Sequence, residues 1–318
     1  MKRFTAEQLR TFAAVVEHQT FEEAALELGV SASAVSQRIK AMEQACGQVL
    51  LQRTNPVCPT EPGQAVLRLA RQIEQLTLET ERELTGQDLQ RTLTVAANAD
   101  SLATWFLEAL AQVGGAGIGA SDVEGDSRIL CEVLREDERH SSALLRTGAV
   151  TAVLTADPHP VQGCTVERLG TMRYWILASP AYREHHFGAD GPTTSQLAAA
   201  PILQFDRKDD RMLEDMAAMI ARAHGLPPQL QAPRVYIPGS AEYLGAVERG
   251  LGWGGVPEIQ CEQALEEGRL VRLVPEPFDM PMFWQRWSLE VPALEKLTAA
   301  VRAAAASALR PSPRGLSV

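Results

Sequence analysis

Apolar positions in the first fifty residues recur at helical spacing in three short runs. The first run turns Leu9, Phe12, Ala13 and Val16 to one face, with Thr5 placed as its cap and Gln8 in the capping-box position. The second turns in Phe21, Ala24, Ala25 and Leu28, with Thr20 as cap, Glu23 in the box position and Gly29 as the stop. The third starts at Ser31 or Ser33, turns in Val35, Ile39, Met42 and Cys46, and ends at Gly47. Only a few residues around Gly29 and Val30 join the second helix to the third, which predicts a helix-turn-helix. Ser33, Ser36, Gln37 and Lys40 then lie on the face turned away from the core. Serine and glutamine can bond base edges, and Arg38 and Lys40 can reach bases or phosphates. The stretch "QVLLQRTNPVCPTEPGQ" has two apolar positions, Arg53, a proline-rich tip and Thr60, the pattern of a short β wing lying along a DNA backbone. The candidate DNA contacts are Ser31, Ser33, Ser36, Gln37, Arg38, Lys40, Arg53 and Thr60. Periodicity alone is equally met by a plain three-helix bundle with a solvated polar face.

Glu61 to Leu84 reads as one long helix, stopped by Gly86, with Val66, Leu69, Ile73, Leu76, Thr80 and Leu84 close to a heptad seam. Such a stripe needs a partner, either its own chain or a second subunit. From Arg91 strands alternate with helices. "TLTVAAN", "RILCEVLRE", "AVTAVLTA", "RYWILAS", "PILQF", "PRVYIP" and "RLVRLVP" read as strands, and "MPMFWQRWSLE" as the last one. "SLATWFLEALAQV" reads as a single helix burying Leu102, Trp105, Phe106, Ala109, Leu110 and Val113. "DDRMLEDMAAMIARAHG", "SAEYLGAVERGLG" and "PALEKLTAAVRAAAASALR" are helical too. This alternation predicts α/β subdomains with largely parallel sheets.

Charge divides the 318-residue chain unevenly. The formal net charge is −10, yet bases and acids balance through Cys58, so the acidity lies downstream. A neutral reading domain binds DNA weakly alone, which predicts two copies and direct readout. The five cysteines form no C-x-x-C pair, so neither a disulfide framework nor a zinc knuckle is expected. "MKRFTAEQLRTF" has no apolar signal core, and no run of about 18 apolar residues occurs. A soluble, cytoplasmic protein with reduced thiols is expected.

Enzyme motifs are missing: there is no G-x-S-x-G, H-E-x-x-H or Walker loop. "GLGWGG" follows a helix and reads as its cap and a strand entry. His185 and His186 are adjacent and point apart on regular structure, so no metal site is expected. Cys46, Cys131 and Cys164 are either small buried hydrophobes or a redox sensor. In "NADSLATWF", Ser101 reads as an N-cap just after a strand, where free backbone N–H groups suit a carboxylate, although capping alone explains the residue. Asp100, Asp137, Glu138, Asp206 and Glu242 lie near strand ends. Each alone reads as a surface acid; convergence on one cleft would select a ligand carrying a cation beside its carboxylate.

"FEEAALELGVSASAVSQRIKAMEQACGQVLLQRTNPVCPTEPGQ" resembles the winged helix-turn-helix of LysR-type transcriptional regulators, through A-A-x-x-L, S-x-S-A-V-S, I-x-x-x-E and R-T…T-x-x-G. The resemblance implies a winged helix-turn-helix over 1–59 and a dimerising linker helix over 60–88. It further implies two Rossmann-like regulatory subdomains, 89–163 with 271–310, and 164–270, enclosing an effector cleft as in periplasmic binding proteins. Operator DNA, RNA polymerase and self-association into dimers and tetramers are the implied partners. "NADSLATWF", "GCTVERLGTMRYWILASP", "SAEYLGAVERGLGWGGVPE" and "PMFWQRWSLE" resemble the LysG/ArgP branch, over nearly the full chain. That branch senses lysine and other basic amino acids and controls a lysine/arginine exporter gene. Implied effector contacts are Asn98, Asp100, Ser101, Trp105, Thr171 and Glu242, with Glu138 and Asp206, and no cofactor besides the effector. Thr151 stands where many members of the superfamily carry Asp, and "VGGAGIGASDVEGDSRIL" is expected to be a Gly-rich loop. The alternatives are another effector, redox sensing, or a ligand-independent nucleoid or origin-binding protein.

Overall fold

The computed structural model describes residues 4–85, 91–114, 129–137, 141–188, 192–205 and 232–311, together with Met216, Ala218, Met219, Arg222 and Gly225. Glu138, Asp206, Gly86, most of the Gly-rich stretch before Ile129 and most of the helix expected from Asp209 lie outside the described residues.

Local signals set the N-terminal helices. α1 (Ala6–His18) starts at Thr5, whose hydroxyl accepts from the Gln8 N–H while Gln8 answers to the Thr5 N–H. α2 (Phe21–Glu27) is capped by Thr20 and followed by Gly29 at φ +64°. α3 (Ala32–Cys46) is capped by Ser31 and closed by Gly47 in the left-handed region. The wing is the antiparallel pair β1 (Leu51–Gln52) and β2 (Cys58–Pro59). α4 (Glu61–Thr85) follows at once.

Phe12, Val15, Val35, Ile39, Met42 and Leu50 form the small core, and Val66, Leu67 and Ala70 of α4 complete it. On α1 the fully buried positions are Leu9, Thr11, Phe12, Ala14 and Val15, while Ala13 and Val16 are only half-buried. The expected face is rotated because α1 packs against α4 on one side and against α2 and α3 on the other. The heptad seam also divides. Val66 turns inward, whereas Leu69, Leu76 and Leu84 are exposed.

The C-terminal region is built on a seven-stranded mixed sheet and a separate two-stranded parallel pair, Ile202–Gln204 with Arg234–Tyr236. β3 (Arg91–Ala97), α5 (Ala99–Thr104), α6 (Phe106–Gly114), β4 (Ile129–Arg135), α7 (Ser142–Thr147) and β5 (Ala152–Thr155) come first. β6 (Cys164–Ala178), α8 (Pro180–His186), α9 (Thr194–Ala199), β7 (Ile202–Gln204) and β8 (Arg234–Tyr236) follow. α10 (Ser240–Glu248), β9 (Gly254–Pro257), α11 (Glu258–Glu266), β10 (Val271–Arg272), β11 (Phe278–Trp287) and α12 (Pro292–Ala308) close the chain. The strand order is β10-β6-β11-β5-β3-β4, with β9 also on β6.

The largely parallel sheet expected from alternation is corrected here. β3 is parallel to β4 and β5, but every pairing made by β6 and β11 in this sheet is antiparallel. β11 lies between β5 and β6 and runs against both. The 15-residue β6 pairs with β11 over Cys164–Tyr174 and with β9 over Tyr174–Leu177. One strand therefore crosses from the core around Val95, Phe106, Trp284 and Leu297 to the cores around Trp253 and Tyr243. Before the crossing, the pairing with β11 shifts register opposite Gly170, where φ is +153° and an added Cβ would lie 2.8 Å from Leu309 Cβ. The single helix expected over "SLATWFLEALAQV" is likewise two helices, broken at Trp105. Trp105 and Phe106 are both buried, in edge-to-face contact at 5.7 Å.

Candidate functional site

Two separate sites emerge. On α3, Ser33, Gln37 and Lys40 are exposed and Ser36 is half-buried, on the face opposite Val35, Ile39 and Met42. Ser31 spends its hydroxyl on the Ala34 N–H at 3.2 Å. Arg38 turns back to α1: its guanidinium lies 2.5 Å from a Glu7 carboxylate oxygen and donates to Thr11 Oγ1 at 3.2 Å. Arg53 on the wing remains exposed, 4.0 Å from Glu43. Thr60 donates to the Val49 carbonyl at 2.7 Å and accepts from the Gly63 N–H at 3.2 Å, so it caps α4 onto the wing.

Sequence reasoning assigned no role to Glu43, the acid of the I-x-x-x-E pattern. Its Oε1 accepts from the Leu50 and Leu51 N–H groups at 2.9 and 3.4 Å. A carboxylate on α3 thereby fixes where the wing begins.

The second site lies where the two lobes meet. Asn98, not Ser101, caps α5: its Oδ1 accepts from the Ser101 N–H at 3.3 Å. The three-residue offset follows from the backbone, since Asn98 is the last extended residue and Ser101 is already helical. Ser101 is fully buried, and among the described residues its Oγ has no hydrogen-bond partner; the Trp105 Nε1 is buried and likewise finds none among them. Unsatisfied buried groups are costly, and their usual home is a place where a ligand or water completes them.

Asp100 is 5% exposed and reaches across the cleft. Ser240 Oγ, on the first residue of α10, donates to Asp100 Oδ1 at 2.6 Å, and Tyr174 Oη donates to Oδ2 at 2.9 Å. Gln260 Nε2 steadies Ser240 at 2.8 Å. Burial pushes the Asp100 carboxyl up from its ordinary value; the Ser240 and Tyr174 hydrogen bonds oppose this and the Asp137 charge adds to it. Among the described residues no cationic side chain lies within 4.0 Å of Asp100. A second strap joins the lobes where Arg135 Nη1 donates to the Pro238 carbonyl at 2.8 Å.

Glu242 is exposed in the first turn of α10, folded back over Gly239. Thr171 is buried, and its main chain bridges to Arg310. It is three residues from Tyr174 on one strand, so the pleat sets the two side chains on opposite faces. Tyr174 and Ser240 were not legible as partners of Asp100, from which they stand 74 and 140 residues away. Thr151 is buried outside this cleft, donating to the Thr94 carbonyl at 3.0 Å.

The cysteines are free. Burial pushes the thiols of Cys131 and Cys164 up to about 11 and that of Cys261 up to about 12. Thiols held so high carry little thiolate at neutral pH. Among the described residues there is no group of three or more metal-ligating side chains, and no helix long and apolar enough to cross a membrane.

A winged helix-turn-helix joined by a long helix to a two-lobed α/β region defines a DNA-binding regulator with a ligand-sensing region. Residues 6–64 match the family described as "Bacterial regulatory helix-turn-helix protein, lysR family", and residues 128–310 match the "LysR substrate binding domain". The chain belongs to the LysR family. It is 40% identical over 305 residues to the lysine export transcriptional regulatory protein LysG of Corynebacterium glutamicum, covering 96% of this chain and 99% of that one. The crystal structure of ArgP from Mycobacterium tuberculosis superposes with a TM-score of 0.82 at 37% identity, covering 96% and 98% of the two chains. Full-length LysG from C. glutamicum with bound effector Arg gives 0.80 at 37% identity, covering 96% and 100%.

Proposed function

We propose that this protein senses a basic amino acid in the cleft between its two lobes and controls transcription of an amino-acid exporter gene. The observation that carries the reading is Asp100: a buried carboxylate, bonded to both lobes, with no cation beside it among the described residues. Two oxygens offer about four lone-pair sites, so two hydroxyl donors leave room for an ammonium or guanidinium. The unpartnered Ser101 hydroxyl and Trp105 N–H supply further polar groups for the ligand. The names of LysG and ArgP, and the arginine bound to the former, support the same chemistry.

In this reading the chain is organised as 1–59, 60–88, 89–163 with 271–310, and 164–270. Ser33, Ser36, Gln37 and Lys40 enter the major groove, and Arg53 follows phosphates. The exposed Leu69, Leu76 and Leu84 of α4 pair with a second copy, and dimers join into tetramers. Ligand in the cleft favours one disposition of the lobes, re-spaces the DNA readers and lets RNA polymerase start. Its leverage equals its difference in affinity for the two dispositions.

The experiment is a thermal-shift titration of the full chain with lysine, arginine, histidine and norleucine. Norleucine keeps the α-amino acid and the stem but lacks the terminal ammonium. Stabilisation by lysine or arginine and not by norleucine is expected. Equal stabilisation by norleucine, or no response to any of the four, overturns the basic-amino-acid reading.

A further inference from the structure

Two sets of contacts tie the lobes together, on opposite faces of β6. The first lobe holds the core around Val95 and Leu297, the second the cores around Trp253 and Tyr243. Tyr174 and Trp175 are neighbours on β6, so the pleat sends their side chains to opposite sides. On one side Tyr174 meets Asp100, which Ser240 reaches from the second lobe. On the other side Trp175 Nε1 donates to Glu258 Oε1 at 3.1 Å. Arg310 Nε donates to Glu258 Oε2 at 2.8 Å, and its Nη2 lies 2.7 Å from the same oxygen. Glu258 opens α11 in the second lobe, and Arg310 follows α12 in the first. This ion pair therefore spans the lobe boundary behind the Asp100 site.

Arg310 is fixed by its backbone. Its main chain exchanges two hydrogen bonds with Thr171 of β6, at 2.9 and 3.0 Å, and Leu309 beside it is buried in the first-lobe core. Gly170 makes room for this approach, since an added Cβ would lie 2.9 Å from the Arg310 carbonyl oxygen. Neighbouring cations are engaged elsewhere. Arg173 donates twice to Asp279, at 2.7 and 2.8 Å, and Arg272 stacks on the Trp175 ring with its Cζ 3.8 Å from the centroid. Through α11 the pair reaches the Asp100 site. Gln260 comes two residues after Glu258, about 200° round the helix. Its Nε2 donates to Ser240 Oγ at 2.8 Å, and Ser240 donates to Asp100 Oδ1 at 2.6 Å. The first turn of α11 is thus gripped by Arg310 on one side and passes its position to Ser240 on the other.

We propose that Arg310 and Glu258 are positioning residues for the Asp100 site. Their ion pair holds α11, and with it Gln260 and Ser240, where Asp100 is bonded from both lobes. The inference deepens the basic-amino-acid reading and rests on it for the identity of the ligand. With the pair broken, the lobes spend less time in the arrangement the ligand needs, and the apparent affinity falls by that fraction. The Glu258 side chain is 24% exposed and that of Arg310 51%. A partly exposed pair of this kind supports an effect of about two- to fivefold.

The test uses the full chain and four variants: Glu258→Gln, which keeps an acceptor for Trp175; Arg310→Gln; the two combined; and Arg310→Lys, which keeps the charge. Spin labels carried by a non-canonical amino acid at the exposed Gln112 of α6 and Glu184 of α8 report the distance between the lobes without ligand, with labelled chain diluted in unlabelled chain. Calorimetric titration with L-arginine and L-lysine reads affinity. A narrow distance distribution is expected for the wild type and Arg310→Lys, and a broader one for the other three. The Kd should rise about two- to fivefold in Glu258→Gln and in Arg310→Gln, no further in the double variant, and return towards the wild-type value in Arg310→Lys. Distance distributions alike in all five proteins overturn the proposal. So do a Kd that stays unchanged while the distribution broadens, and single effects that simply add in the double variant. If the distributions broaden as expected but the wild type binds neither amino acid, the tie between the lobes stands and the basic-amino-acid reading falls.

Discussion

Ser240 Oγ on one lobe donates to Asp100 Oδ1 on the other across 2.6 Å. The bond makes the lobe arrangement depend on the protonation and charge partners of a single buried carboxyl. The Asp100 pKa is raised in the folded protein, chiefly by burial. A raised pKa contributes stability that is fully present below the unfolded-state value and is lost as pH rises through the folded-state value.

Asp100→Asn should remove that dependence. The melting temperature of the wild type should fall relative to Asp100→Asn as pH rises from the usual carboxylate value through the folded-state pKa. If the site takes a lysine ammonium against the ionised carboxylate, lysine should bind more tightly across the same rise, and Asp100→Asn should abolish that trend. Melting curves and lysine titrations at stepped pH read both; parallel melting profiles for the two proteins would remove Asp100 from the account.

The DNA face separates readers from braces. Gln37→Ala should cost about 1–3 kcal/mol of operator affinity and leave the salt slope unchanged. Lys40→Ala should weaken binding to any sequence and lower that slope by about one. Arg38 is braced on Glu7 and Thr11, so Arg38→Ala should lower stability of the reading domain by about 1 kcal/mol. Binding isotherms at several salt concentrations, with melts in parallel, sort the three. A salt slope unaltered by Lys40→Ala would place that lysine off the phosphates.

Gly63 is held by contact, not by its dihedral. A Cβ there would lie 2.0 Å from the Leu50 carbonyl oxygen, which is main chain and cannot rotate away. Gly63→Ala should cost about 1–3 kcal/mol, as overpacking does, and displace the wing from α4. Operator binding should drop while lysine binding stays. Unimpaired DNA binding by this variant would show that the wing tolerates the shift.

Leu76 stands exposed on α4, seven residues and so about two turns after the exposed Leu69. If this stripe pairs two subunits, Leu76→Glu buries two like charges at the seam and should yield monomers. Light scattering after size exclusion reads the mass directly. A dimer of unchanged mass and dissociation constant would move the interface elsewhere.

Much of the reading domain was legible because its signals are local. Thr5 with Gln8, Thr20, Ser31, Gly29 and Gly47 set helix ends within three or four residues of themselves. The resemblance in the same stretch was matched by the family finding over residues 6–64. Misreadings came where the same local pattern fits two arrangements. Ser101 and Asn98 are both good caps, and the last extended residue decided between them. An α/β alternation does not tell whether a returning strand enters parallel or antiparallel, and β11 enters antiparallel between β5 and β6.

By itself the sequence determined where the helices of the DNA reader start and stop and that the acidity lies beyond that reader, since these depend on neighbours a few residues apart. Only the tertiary structure decided that Asp100 meets Tyr174 and Ser240, that Arg38 turns inward, that Glu43 seats the wing, and that Arg310 meets Glu258. Those pairings join residues separated by up to 140 positions in the chain. Their physical reason is packing: long-range contacts exist only once the helices and the β6 crossing have been fixed against one another, and no residue type announces its distant partner.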